Sequence, residues 1–158
     1  MGDYDFPRIF VEGYDEGPFC CVSSSCYSIT ETRSDGCYGV AIYESVFKKV
    51  IDSVKGIVAR SYCIEVPWRR EALMVKQGTH VVLIEVTASQ VVLTVREGDT
   101  VEKGMIIAHT VTGKGESRSL RAPSPGILVY VGVTSFSNPE SYVLVLAGEE
   151  DVVTLRRC

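Results

Sequence analysis

A mainly β chain carrying one helix is the fold class this sequence predicts, on three observations. Short apolar runs alternate with polar residues at the period of a half-buried strand, as in Val91, Leu93 and Val95. Glycine, proline and Asp-Gly steps punctuate those runs, which is the turn chemistry of antiparallel sheets. Only from Glu44 to about Arg60 does the apolar spacing change to a helical one.

Composition bounds the rest. With 158 residues, 46% hydrophobic and 23% charged, the chain can bury one ordinary core, or a core with a small appendage. A net charge of -4 supplies no general attraction to nucleic acid or an anionic membrane, both of which require clustered Lys and Arg. The apolar runs are far shorter than the roughly 20 residues of a membrane span. MGDYDFPRIF lacks the basic start and apolar stretch of a signal peptide, so a cytoplasmic protein is expected.

In chain order, Arg8 to Val11 and Phe19 to Val22 read as strands. Tyr27 to Thr32 and Cys37 to Tyr43 flank Arg33, Ser34, Asp35 and Gly36, and Asp-Gly between β-rich runs predicts a hairpin there. In the helical segment Val46, Phe47, Val50, Ile51, Val54, Ile57 and Val58 form the apolar stripe, with Lys48, Lys49, Asp52, Ser53 and Lys55 opposite. Such a lone amphipathic helix is expected to cover the open face of the hairpin's sheet. Tyr62 to Val66 is a strand stopped by Pro67. The expected division is an N-terminal α+β region at residues 1–66 and a β-barrel at residues 67–158, with no Ala/Pro-rich or Gly/Ser-rich linker between them.

The cysteines are ambiguous. Cys20, Cys21, Cys26 and Cys37 cluster, while Cys63 and Cys158 stand apart, and the spacing is a poor match to zinc knuckles. Cys20 and Cys21 on one strand point to opposite faces. Buried free thiols are the favoured reading, ahead of disulfides and of metal.

The stretch from Gln90 to Val131 carries the most information. A turn at Gly98 and Asp99 ends the first strand, a turn at Lys103 and Gly104 precedes Met105 to Ile107, and Gly113 and Gly115 flank the single Lys114. The chain then returns through Ala122 and Pro123 to Gly126 and a strand at Ile127 to Val133. Thr134 to Glu140 reads as a plain loop, followed by strands at Tyr142 to Leu146 and Val152 to Leu155.

The order L-x-V-x-E-G-D-x-V-x-K-G-x-x-I, a lysine ten residues after the second glycine, and A-P-x-x-G resembles biotinyl and lipoyl carrier domains over about a quarter of the chain. That resemblance implies a flattened antiparallel β-barrel, a barrel-sandwich hybrid, displaying Lys114 at a hairpin tip. It implies biotin or a lipoyl group on Lys114 as one reading. The flanks depart from both patterns, since biotin acceptors have methionines beside the lysine and lipoate acceptors commonly an acidic residue shortly before it. Here Thr112 and Gly113 precede, and Gly115 and Glu116 follow. The barrel behind an N-terminal α+β region also resembles an archaeal family of uncharacterised proteins.

A pattern L-x-V-[K/R]-[Q/E]-G-x-x-V recurs at Leu73 to Val81 and Leu93 to Val101, an offset of 20 residues. Carrier domains resemble two related halves, so the first copy is expected to supply one half, with residues 73–146 wrapping into the barrel.

Other constellations are thin. His80 and His109 are too few for a dedicated metal site, no G-x-S-x-G elbow occurs, and TGKGES lacks the context of a phosphate loop. Lys103, Lys114, Arg118 and Arg121 could form a local basic patch able to receive an acidic partner, although most such clusters simply keep a surface soluble. The leading expectation is a non-catalytic binding or assembly module without a cofactor, meeting a protein partner at the Lys114 end. The alternatives are a carrier modified at Lys114, then an enzyme of unknown type. Nucleic-acid and membrane partners are not expected, and a homo-oligomer stays open.

Overall fold

The computed structural model of the protein describes residues 6–135 and 137–158. It begins with β1 (Arg8–Val11), β2 (Phe19–Ser23), β3 (Cys26–Thr30) and β4 (Cys37–Ala41). One helical turn, α1 (Phe47–Val50), leads to short strands β5 (Ile51–Asp52) and β6 (Ile57–Val58), then β7 (Tyr62–Val66) and β8 (Glu71–Val75). There follow β9 (Val81–Ala88), β10 (Gln90–Leu93), β11 (Thr100–Val101), β12 (Ile106–Val111), β13 (Ser117–Arg121), β14 (Gly126–Ser135) and β15 (Glu140–Ala147), and last β16 (Val152–Arg157). The chain is mainly β, as its alternating pattern predicts.

Two units emerge, one running to His80 and regaining Glu150–Cys158, the other Val81–Glu149. The division expected at residue 67 is therefore displaced. Pro67 opens a single 3-10 turn ending at Arg70 (φ 54), and the chain reverses into β8 alongside β7. β16 then pairs with β8 over five residues, from Val152↔Val75 to Arg156↔Glu71, which returns the C-terminus to the first unit.

The first unit is a closed barrel of order β1-β4-β2-β3-β16-β8-β7. Its lumen is filled by Phe10, Cys20, Tyr27, Cys63, Ala72 and Leu155. All its seams are antiparallel except β3 with β16, a parallel pairing of only two residue pairs. Disulfides reinforce the ring: Cys21–Cys37 joins opposed residues of β2 and β4, and Cys26–Cys158 fastens the short parallel seam. Cys20 and Cys63 remain free and buried. The expectation of free thiols thus holds for these two and fails for the other four, because the fold brings partners 16 and 132 residues apart face to face.

Two local expectations are corrected. β3 and β4 do not pair; β2 lies between them, bonded to β3 on one edge and β4 on the other. Ser24, at φ 53, makes the tight β2–β3 reversal, so Arg33 to Gly36 becomes a connection across β2. Gly39 in β4 admits the close approach of the β1–β2 connection, since a Cβ there would collide with the Tyr14 carbonyl oxygen.

The helix expected over Glu44 to Arg60 shrinks to α1. Of its stripe, Val46, Val50, Ile51 and Val58 are buried, but Val54 is 94% exposed. β-branched residues dominate that stripe and resist helix. Asp52 Oδ1 accepts the amides of Val54 (3.1 Å) and Lys55 (3.0 Å), and Gly56 at φ 67 closes the β5–β6 hairpin.

The second unit holds a three-stranded sheet, β10-β12-β13, and a four-stranded sheet, β11-β14-β15-β9. They share one core: Val91, Ile107 and Ala108 from the first meet Ile84, Val86, Val101, Leu128, Leu144 and Leu146 from the second. Val91 and Val95 are buried while Val92 is 62% exposed, the alternation read from sequence. Of the expected Thr134 to Glu140 loop, β14 runs on to Ser135 and residue 136 lies outside the described residues.

The 20-residue repeat proves local. In the first copy Thr79 N donates to Lys76 O (3.1 Å) with Gly78 at φ 89; in the second Asp99 N donates to Arg96 O (3.1 Å) with Gly98 at φ 90. Each is a turn that needs glycine's positive φ at its third position. Their strands, however, join different units, because β8 belongs to the barrel. Residues 73–75 therefore do not supply half of the second unit.

Candidate functional site

The β12–β13 hairpin builds the site. Its register, Val111↔Ser117, Thr110↔Arg118 and His109↔Ser119, fixes which side chains share a face. The turn is tied by Gly115 N to Thr112 O (2.9 Å), Thr112 N to Glu116 O (2.9 Å) and Glu116 N to Thr112 Oγ1 (3.1 Å). Lys114 sits exposed within it. Gly115, at φ +84, is the glycine the backbone requires, and a Cβ there would meet nothing within 4 Å. At Gly113 a Cβ would rest 3.5 Å from Ser89 Oγ, an ordinary contact.

Two recesses flank the hairpin. Gln90, Val92 and His109 line a shallow groove of about 340 Å³, with His109 Nδ1 and Ser119 Oγ 3.1 Å apart. Val86, Ala88, Leu120 and Pro139 line a second of about 520 Å³ beside β9 and β13, and Thr110, Arg118 and Ser119 border both recesses. In the described pairings each of these strands is bonded along one edge alone. Arg118 lies 3.2 Å from Glu116, an exposed pair of little energetic weight.

The four basic residues are spread along the hairpin between its two ends. Lys114 and Arg118 stand at the turn, whereas Arg121 pairs with Ile106 at the far end of β12, its guanidinium donating to Gly104 O (2.9 Å). Lys103 belongs to that far turn too. Arg118 and Arg121 are three residues apart on β13, about 10 Å along the strand, and the two turns lie at opposite ends of the six-residue β12.

The remaining sequence-selected residues hold the scaffold. Gly98 N donates to Leu128 O (2.7 Å), Asp99 Oδ2 accepts Arg96 N (2.9 Å), and Gly104 N donates to Ala122 O (2.9 Å). Gly126 admits a close crossing, since a Cβ there would lie 2.7 Å from Ala147 O. His80 forms an isolated bridge with Ile57 in the first unit, and His109 belongs to the second. Among the described residues no group of three His, Cys, Asp or Glu could hold a metal.

One polar centre was not anticipated. Glu65 is 5% exposed in the buried strand β7. Its Oε1 accepts Arg8 Nε (2.8 Å), and its Oε2 accepts Tyr27 OH (3.2 Å) and lies 3.5 Å from Arg157. Burial first, then the Glu65 charge, pushes the Tyr27 phenol well above its ordinary value. The signal was available: an acid inside an otherwise apolar five-residue strand demands partners. Here they close the barrel wall.

A closed barrel, a two-sheet unit and an exposed lysine-bearing turn define a mainly β protein. The chain belongs to the family described as "Uncharacterized protein conserved in archaea (DUF2118)", whose model matches residues 4–149. No curated protein matches it. No helix among the described residues is long and apolar enough to cross a membrane.

Proposed function

We propose that the protein is a non-catalytic binding or assembly module of the cytoplasm, built on a biotinyl/lipoyl-like scaffold and meeting a protein partner at the Lys114 turn. The observation that carries this reading is the exposed Lys114 at the turn, next to Gly113 and near Arg118, which line the grooves flanking the hairpin. Two cations on an acidic chain favour a partner segment rich in Asp and Glu. The two disulfides accord with a cytoplasmic setting where intracellular proteins are disulfide-rich, as in hyperthermophilic archaea. Neither nucleic acid nor a membrane suits the net charge.

Titration of the isotope-labelled full chain with a Glu-rich octapeptide tests the reading. Amide shifts confined to residues 109–119 and Ala88 to Gln90, weakened several-fold in Lys114→Ala and Arg118→Ala, are expected. Shifts scattered over the surface, or none at millimolar peptide, would overturn it.

A second reading follows from the same exposed amine: Lys114 bears biotin or a lipoyl group. The turn's geometry suits attachment, while Thr112 and Glu116 are not the flanks of either acceptor class. Intact mass of protein purified from its natural host decides, since a biotin- or lipoyl-sized addition absent from Lys114→Ala establishes the carrier.

A further inference from the structure

Cys20 and Cys63 face each other inside the barrel with their Sγ atoms 3.5 Å apart, both fully buried. They belong to β2 and β7, which are not hydrogen-bonded neighbours; β4 and β1 intervene on one side, β3, β16 and β8 on the other. The thiols therefore meet through the lumen rather than along the wall. The other four cysteines are paired, so these are the two sulfurs of the set still carrying protons.

We propose that Cys20 and Cys63 are an oxidation site, converted by a peroxide into a third disulfide that staples the barrel through its centre. One thiolate attacks a peroxide oxygen, breaking the O–O bond and giving a sulfenic acid, and the departing hydroxide takes up the proton the thiol had lost to become water. The second sulfur displaces the sulfenic hydroxyl as a further water, forming the S–S bond. For hydrogen peroxide two thiols lose two electrons and two protons, and one peroxide becomes two waters. Phe10, Tyr27 and Leu155 are buried in the same cluster as the pair, which favours a small oxidant over a bulky disulfide that must first form a mixed-disulfide adduct. Closing the sulfurs from 3.5 Å to a bond of about 2 Å is a movement on the scale of a side-chain rotation. The hydrogen bond with Cys20, followed by burial, raises the Cys63 pKa well above its ordinary value, so oxidation quickens as pH rises. Met74 packs against the same cluster, where it accepts the Tyr38 hydroxyl (3.8 Å), and serves as an internal gauge of peroxide entry.

The test uses the full chain with both existing disulfides intact. After hydrogen peroxide and quenching, the protein is denatured without reduction, alkylated with N-ethylmaleimide and mapped by mass spectrometry. Expected are loss of two hydrogens, no alkylation at Cys20 or Cys63, a Cys20–Cys63 cross-linked peptide, and a thermal midpoint raised by about 5 °C. Cys20→Ala and Cys63→Ala should each remove that cross-link and leave the remaining thiol alkylated. Should either variant fail to fold, the wild-type map decides alone. Both thiols still alkylating when Met74 has become the sulfoxide, or sulfinic acid on single cysteines, overturns the proposal.

Discussion

All six cysteines lie in the barrel unit, at positions 20, 21, 26, 37, 63 and 158, while Val81–Glu149 contains none. The barrel closes through a parallel seam of two residue pairs and encloses a charged Glu65; the sheet pair is wholly antiparallel, its turns set by glycines. The weaker the seam, the more the fold leans on covalent and ionic ties. Long antiparallel ladders, such as the eight-residue pairing of β15 with β9, need no such ties.

The largest effect should come from cutting the seam's tie. Cys26–Cys158 closes a loop of 132 residues, for which the chain-entropy model gives about 5 kcal/mol. Cys158→Ser is expected to strip hydrogen-exchange protection from β3 and β16 while β14 and β15 keep theirs. Uniform loss over both units would break the comparison. The counterpart in the sheet pair is Gly126→Ala, whose methyl must displace the Ala147 carbonyl; about 2 kcal/mol of destabilisation, read by urea unfolding, is expected.

Alkali should act on the barrel before the sheet pair. Burial raises the pKa values of Tyr27 and Tyr38, and the hydrogen bond with Cys20 followed by burial raises that of Cys63; all three lie in the barrel unit. A raised native pKa favours the protonated group. The stabilisation is complete below the unfolded values of 9.0 for Cys63 and 10.0 for the phenols, and is lost as pH climbs through the folded ones. Tyr27→Phe forfeits the bond to Glu65, about 1.5 kcal/mol at neutral pH, and should flatten the decline in barrel stability above pH 10. An equal slope in both proteins would remove Tyr27 from the account.

The same contrast decides what was legible in the sequence. The turns at Gly98, Gly104 and Gly115 could be read locally, because each needs only its own residues to adopt a positive φ. The barrel could not, since β3 meets β16 and Cys26 meets Cys158 only after the rest of the chain has been laid down. Glu44 to Arg60 misled because an apolar period of three to four also suits a turn followed by a two-residue hairpin, and Asp52 and Gly56 decided between them. At the site, Lys114 and its turn were legible, but Arg118's place beside both grooves and Arg121's opposite Ile106 depended on register. Glu65 was overlooked because its partners, Arg8, Tyr27 and Arg157, are spread along the chain.

The smallest effects separate the turn's backbone from its side chain. Gly115→Ala places a methyl in open space but keeps φ at +84, so about 1 kcal/mol should be lost through the strained conformation alone. Lys114→Ala alters an exposed side chain and should change stability by less than about 0.5 kcal/mol. If Lys114 works on a partner, its removal must therefore register in peptide binding without registering in urea unfolding. Gly115→Ala should do the reverse in proportion, losing binding only as far as it misdirects the neighbouring lysine. A Lys114→Ala variant measurably less stable than wild type would mean that the amine serves the fold, and the docking role assigned to it would fall.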